Sequence, residues 1–197
     1  MQITLETTNA AEIIINTYSG KELNLCLPDA KHIDIRDIGR GLAYNSLFSG
    51  QTPHFFSIAE HCLMMCDLME EDGIKDPHLL MAALLHAASE AYIGNMVKPL
   101  KMYLPVYQQL EDQLQQLIYT KYFLNAADYM SRIKPYDTNA QHLGYMRFYK
   151  NAPDELRKIK YYTPHTALKL FMERFYRYMN LRRDSVQDPE SETTDLD

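Results

Sequence analysis

Apolar residues recur along most of this chain at the three- and four-residue spacing of helices, and no stretch alternates in the period of a strand. From Asp34 onward, Ile35, Ile38 and Leu42 share a helical face, with Asp34 placed to cap it. Ser49-Gly50-Gln51-Thr52-Pro53 then interrupts the pattern. Ser57-Ile58-Ala59-Glu60 reads as a capping box, in which hydroxyl and carboxylate satisfy free amides at a helix start. The helix it opens should run to about Glu70 and end before Gly73. Asp76-Pro77 is an equally clear start, and the following helix is apolar nearly all round, as expected of the central, buried one. It is expected to continue to near Gly94.

Leu104-Pro105 opens a further helix, with Leu110, Leu114, Leu117 and Ile118 turned inward and the glutamines outward. Another should cover Asp128 to Tyr149, with Pro135 either starting its main part or kinking it. After Asn151-Ala152-Pro153, a last helix is expected from Pro164 to Leu181, burying Leu168, Phe171, Phe175 and Met179. The first residues are ambiguous: Ile13-Ile14-Ile15 fits an extended strand or the end of a short helix. Tyr18 to Lys21 and Leu27 to Asp29 read as turns. The pattern therefore predicts an all-α domain, a compact bundle of five to seven helices over residues 18–183. An extension covers residues 1–17, and an acidic tail without aromatics, expected to be disordered, covers 184–197.

Composition narrows the function classes. At 197 residues with 46% hydrophobic content, the chain can bury one sizeable core. A net charge of -6 argues against an extended nucleic-acid partner, which needs a positive footprint, but leaves room for a small phosphorylated one. No apolar run approaches the ~20 residues needed to span a bilayer, and no signal peptide is evident, so no membrane partner is expected. Cys26, Cys62 and Cys66 are too few for a disulfide framework; Cys62 and Cys66 read as buried thiols, and the setting as cytoplasmic.

The candidate chemistry centres on Leu84-Leu85-His86-Ala87-Ala88-Ser89-Glu90. On a continuous helix His86 and Glu90, four residues apart, share one face. Burying an imidazole beside a carboxylate is costly unless something compensates, and a metal ion or a bound phosphate with counter-charges would do so. The bland alternative has His86 bonded to a backbone carbonyl and Glu90 at a solvent-facing helix end. His32, His54, His78, His142 and His165 are scattered among polar neighbours and read as surface or cap residues. Tyr161-Tyr162 and Tyr176-Arg177-Tyr178 could line a subunit contact, making a homodimer possible.

Three ordered blocks carry a resemblance: Gly50 to His61, ending in Ala59-Glu60-His61; Leu84 to Lys101; and Lys134-Pro135-Tyr136-Asp137. Together they resemble the HD-domain phosphohydrolase superfamily, and within it the small bacterial branch of 5′-deoxynucleotidases, over roughly Tyr18 to Met179. The resemblance implies a metal-dependent phosphohydrolase acting on a small phosphate monoester, above all a (deoxy)nucleotide. It also implies a divalent transition metal (Mn, Fe, Co or Zn) held by His61, His86 and Asp137. The aspartate of the family's His-Asp pair falls on Ala87, which cannot ligate. The resemblance assigns proton handling to Glu90. It puts Asn95 where family members commonly carry Asp next to the reacting group, Leu47 where they carry a phosphate-gripping Arg, and Gln51 where many have His. Lys98 and Lys101 are candidates to meet phosphate oxygens, and Arg36 or Arg40 to replace the missing clamp. Ala87 is either an introduced inactivating substitution or the natural residue of a degenerate member. This copy is thus expected to be impaired, with an inactive nucleotide-binding or regulatory protein on the same fold as the alternative.

Overall fold

The computed structural model describes residues 12–148 and 161–187. It is an all-α bundle carrying one small hairpin. The hairpin strands β1 (Ile14–Asn16) and β2 (Glu22–Asn24) pair antiparallel, so the Ile13 to Ile15 run resolves as a strand. The turn between them is tied to the first helix, because Asp37 accepts from Ser19 N and Oγ at 2.6 and 2.8 Å. Residues 14–16, placed by the sequence in an N-terminal extension, thereby join the folded body.

Helix α1 (Ile35–Tyr44) is capped by Asp34, whose carboxylate accepts from Arg36 N. Helix α2 (Ile58–Glu71) begins at Ser57, whose hydroxyl accepts from Glu60 N at 3.0 Å. It ends in a Schellman motif: Ile74 N bonds Met69 O, Gly73 N bonds Glu70 O, and Gly73 takes φ +81. Helix α3 (Pro77–Leu84) has Asp76 as its cap and Pro77 in its first turn, and every residue from Leu79 to Leu84 is buried. Single turns α4 (Glu90–Ile93) and α5 (Lys98–Lys101) follow, then α6 (Pro105–Lys121), α7 (Ala126–Met146) and α8 (Pro164–Gln187). Pro135 lies inside α7 rather than at its start. Helix α8 packs along α1, α2 and α3, and α7 lies against α2 and α3.

Four expectations need correction. The central helix does not reach Gly94; it stops at Leu84. The reason is competition for its carbonyls. Tyr119 Oη donates to Ala82 O at 2.8 Å, and His86 N bonds Ala83 O instead. The Gln115 side chain inserts one turn later: Nε2 donates to Leu85 O and Oε1 accepts from Ser89 N, two groups that would pair with each other in an α-helix. Gln115 is therefore turned inward, unlike the outward glutamines expected of α6. At the C-terminus α8 runs to Gln187, so residues 184–187, assigned to the tail, are helical; 188–197 lie outside the described residues. Tyr178 is fully buried and donates to Glu70, so it belongs to the core and not to a subunit contact. Among the described residues no helix is long and apolar enough to cross a membrane.

Candidate metal centre and its cavity

Helices α2 and α7 and the broken segment after α3 converge on a cavity of about 830 Å³. His61 comes from the buried face of α2, His86 from the segment just past the end of α3, and Asp137 from α7, one turn beyond Ile133. One ligand atom from each lies within 4.8 Å of the other two. His61 Nε2 is 3.0 Å and His86 Nε2 3.5 Å from the same oxygen, Asp137 Oδ1. Exposure falls from 20% at the Asp137 side chain to 11% at His86 and 4% at His61, so the cluster sits at the floor of the opening.

The helix break serves this geometry. His86 Nδ1 bonds Ala83 O at 2.8 Å, which makes Nδ1 the donor nitrogen and turns Nε2 toward Asp137. Such a backbone carbonyl behind an imidazole is the usual support of a metal-ligating histidine. Thus the carbonyl bond of the bland reading is present, on the far side of a ring whose other nitrogen still faces the cluster. With Nδ1 protonated, Nε2 and Asp137 Oδ1 would set lone pair against lone pair unless a cation lies between them. A proton or a metal ion can fill that role, so the donor set fits a borderline divalent ion. His61 Nδ1 is buried and has no hydrogen-bond partner among the described residues.

The charge states follow from these contacts. Burial alone would raise the Asp137 carboxyl, but His61, His86 and Lys134 hold it far below the usual carboxylate range. Burial opposes charging His86, yet the Cys62 sulfur and Asp137 lift it well above the ordinary imidazole value. Burial pushes His61 down despite its bond to Asp137 and with the help of repulsion from His86. Beside one carboxylate the two imidazoles are thus shifted in opposite directions.

The opposite wall carries Glu90, which lines the cavity and does not sit at a solvent-facing end. Asn95 Nδ2 donates to Glu90 Oε2 at 2.8 Å, and Lys101 Nζ lies 3.8 Å from Oε1. Burial raises the Glu90 pKa above the ordinary value in spite of both. His86 and Glu90 share the cavity although the continuous helix invoked to join them does not exist. Gly41 makes the placement of α4 possible, because a Cβ there would collide with the Ala91 backbone. Lys98 lines the cavity, whereas Lys101 is already committed to Glu111 Oε1 at 2.5 Å. Ala87 and Leu47 also line it. Arg36 pairs with Asp34, and Arg40 lies over the Tyr44 ring at 3.6 Å; neither lines the cavity, so neither replaces a clamp there. Of the dispersed histidines, His142 lines the rim of the cavity.

Sequence reasoning missed three participants. Lys134 Nζ donates to Asp137 Oδ2 at 2.5 Å; its position three residues ahead of Asp137 was a readable signal, since such residues are neighbours on a helix. Glu111 and Gln115 lie four apart on α6, at the edge of its apolar stripe, and nothing local distinguishes them from the solvated glutamines beside them. Beneath the site, Glu60 accepts from Arg147 Nη2 at 2.6 Å, with side-chain exposures of 2% and 0%.

No protein-family description matches this chain. Uncharacterized protein YfdR of Escherichia coli (strain K12) is 33% identical over 110 residues, which is 56% of this chain and 58% of that protein. Uncharacterized protein RCAP_rcc00048 of Rhodobacter capsulatus is 36% identical over 128 residues, which is 61% of this chain and 65% of the relative. The chain therefore matches about three fifths of the length of these curated relatives.

Proposed function

We propose that this chain is a metal-dependent phosphohydrolase of the HD-domain type, with a small phosphate monoester, above all a (deoxy)nucleotide, as substrate, and that Ala87 impairs it. One observation carries the reading. Two imidazoles and a carboxylate from three separate segments meet at the floor of a cavity that also holds a half-buried glutamate engaged by Asn95 and Lys101. His61, His86 and Asp137 would hold a divalent transition metal. The chemistry supplied by such an ion is activation of water and screening of phosphoryl charge.

The remaining work falls to the chain itself. Glu90, with its raised pKa, is placed to hold a proton at its carboxyl and exchange it with water or the leaving oxygen. Asn95 orients that carboxyl by its bond to Oε2. Lys98 and Lys134 present ammonium groups at the cavity for phosphate oxygens, while Lys101 neutralises Glu111 and flanks Glu90. A cytoplasmic setting agrees with the buried thiols of Cys62 and Cys66.

A second reading is favoured by the surroundings of Asp137, which accepts from or faces three nitrogen groups of the chain itself. In that reading the pocket binds nucleotides without turnover. The deciding experiment loads the purified protein with manganese and follows phosphate release from a panel of nucleoside monophosphates, beside an Ala87→Asp variant. The hydrolase reading expects slow release by the unsubstituted chain and about 100-fold or faster release by the variant, of the order contributed by one preorganised electrostatic group. Nucleotide-dependent thermal stabilisation with no release from either protein selects the binding protein.

A further inference from the structure

A second cavity, of about 540 Å³, lies between α2, the end of α7 and α8, and shares no lining residue with the cavity of the metal centre. Its size is in the range that takes a small molecule. Leu63, Met64 and Leu68 of α2, Leu143 of α7 and Leu170 of α8 give it apolar walls, and the Glu60–Arg147 pair stands at its back. That pair is almost fully buried and incompletely bonded. Arg147 Nη2 donates to Glu60 Oε1 at 2.6 Å, whereas Arg147 Nε and Nη1 and Glu60 Oε2 have no hydrogen-bond partner among the described residues. All three atoms are buried, so bulk water does not complete them. Backbone amides of Ser57 and Tyr162 bear on the Glu60 charge without bonding that oxygen. The rings of Phe56, Phe148 and Tyr161 crowd Arg147 Cζ at 4.6 to 5.2 Å, filling that side with aromatic carbon. Buried polar groups left unbonded are costly and few in native interiors.

We propose that this cavity is a second ligand site, built for a small neutral molecule with an apolar body and a carboxamide head. The head supplies what the pair lacks: its carbonyl oxygen accepts from the free N–H groups of Arg147, and its N–H donates to Glu60 Oε2. The last torsion of a glutamate is soft, so the carboxylate can turn its free oxygen toward the cavity. Charge selects against the alternatives. Each lining arginine already faces an acid: Arg147 meets Glu60, Arg174 meets Asp67 at 2.7 Å, and Arg177 meets Glu70. Glu71 and Glu173 add negative charge at the exposed edge, the latter answered by Lys169. An anion therefore finds no unpaired cation among the described lining residues, and a purely cationic head brings no acceptor for Arg147. A hydrocarbon fits the walls and leaves the back unbonded. None of this depends on how the metal centre is read.

The test titrates the full chain, labelled at leucine and methionine methyls, with three probes of one shape: para-propylbenzamide, para-propylbenzoate and para-propyltoluene. The amide should shift the methyl resonances of Leu63, Met64 and Leu143 and bind about tenfold or more tightly than the other two, the scale of one hydrogen bond to a charged group. Leu47 and Met130, which line the other cavity, should not respond. Leu170→Trp and Met64→Trp fill the space from two half-buried wall positions; each should keep its circular dichroism spectrum and lose the amide. In the double variant Glu60→Leu with Arg147→Met the back becomes apolar, so para-propyltoluene should now bind at least as tightly as the amide. Equal binding of the three probes by the unsubstituted chain overturns the proposal, as does an amide preference that survives in the double variant. Shifts centred on Leu47 and Met130, or no shift with any probe, overturn it as well. Manganese binding and phosphate release are not read in this experiment, so its failure leaves the metal centre untouched.

Discussion

Helices α2 and α7 are joined by two polar contacts that start from adjacent residues and end in different circumstances. Glu60 meets Arg147 with both side chains almost fully buried, at the back of a second cavity that both line, and Arg147 also lies over the Phe56 ring at 4.6 Å. His61 meets Asp137 at the floor of an open cavity. Among the described residues, Glu60 Oε2 and Arg147 Nε and Nη1 of this buried pair have no hydrogen-bond partner, and each charge is compensated chiefly by the other. The open cluster brings in a second donor from the broken end of α3 and a third from Lys134. A buried ion pair of the first kind holds two helices in register. The second kind, with surplus donors around one accessible carboxylate, has room for an exogenous ion and ligand.

The comparison breaks most readily at the buried pair. Arg147→Met should cost about 3–5 kcal/mol, the usual penalty for stranding one buried charge. Urea unfolding reads that loss, and the double variant Glu60→Leu with Arg147→Met should recover most of it. At the open cluster, Asp137→Asn should leave the fold intact and weaken manganese binding by about 100-fold or more. Losses of 10–100-fold already follow from altering outer-shell partners, and calorimetry measures this one. A smaller effect belongs to Gln115→Ala, which strands Leu85 O and Ser89 N at the helix break. It should cost about 1–3 kcal/mol in urea unfolding and loosen His86, so metal affinity falls together with stability.

The finest test is pH dependence of the metal-free protein, because the two carboxylates are shifted in opposite directions. Burial raises Glu60 despite Arg147, so the folded state prefers its neutral form. Its stabilising contribution is complete below the unfolded value of 4.5 and is lost as pH rises through the folded pKa. Asp137 is lowered, so its contribution is present above the unfolded value of 3.8 and fades as pH falls below it. Glu60→Gln should therefore flatten the stability curve just above pH 4.5, and Asp137→Asn the limb below 3.8. Urea midpoints measured across this range distinguish the two residues.

Helix starts were readable because they depend on a few adjacent side chains. Asp34, Ser57 and Asp76 each cap the helix expected of them, and Gly73 closes α2 where a left-handed residue is needed. The run from Asp76 to Gly94 misled, since nothing within it announces that Tyr119 and Gln115 of α6 will take its carbonyls and amide. The candidate ligands were legible by residue type and by the resemblance, as were Glu90 and Asn95. Lys134 left a readable signal in its spacing to Asp137 that went unused, whereas Glu111 and the Glu60–Arg147 pair left none, because their importance lies in which partner each one meets.

Residue order alone was enough for the all-α class, the caps, the buried apolar stripes and a list of groups able to bind metal. These are consequences of backbone geometry and of side chains within a turn of one another. Folding in three dimensions settled the rest: where the central helix breaks, that His86 turns one nitrogen to Ala83 and the other to Asp137, and that a lysine shares that carboxylate. Each of these is a choice among competing partners many residues apart, and such competition is resolved only when the helices are packed together.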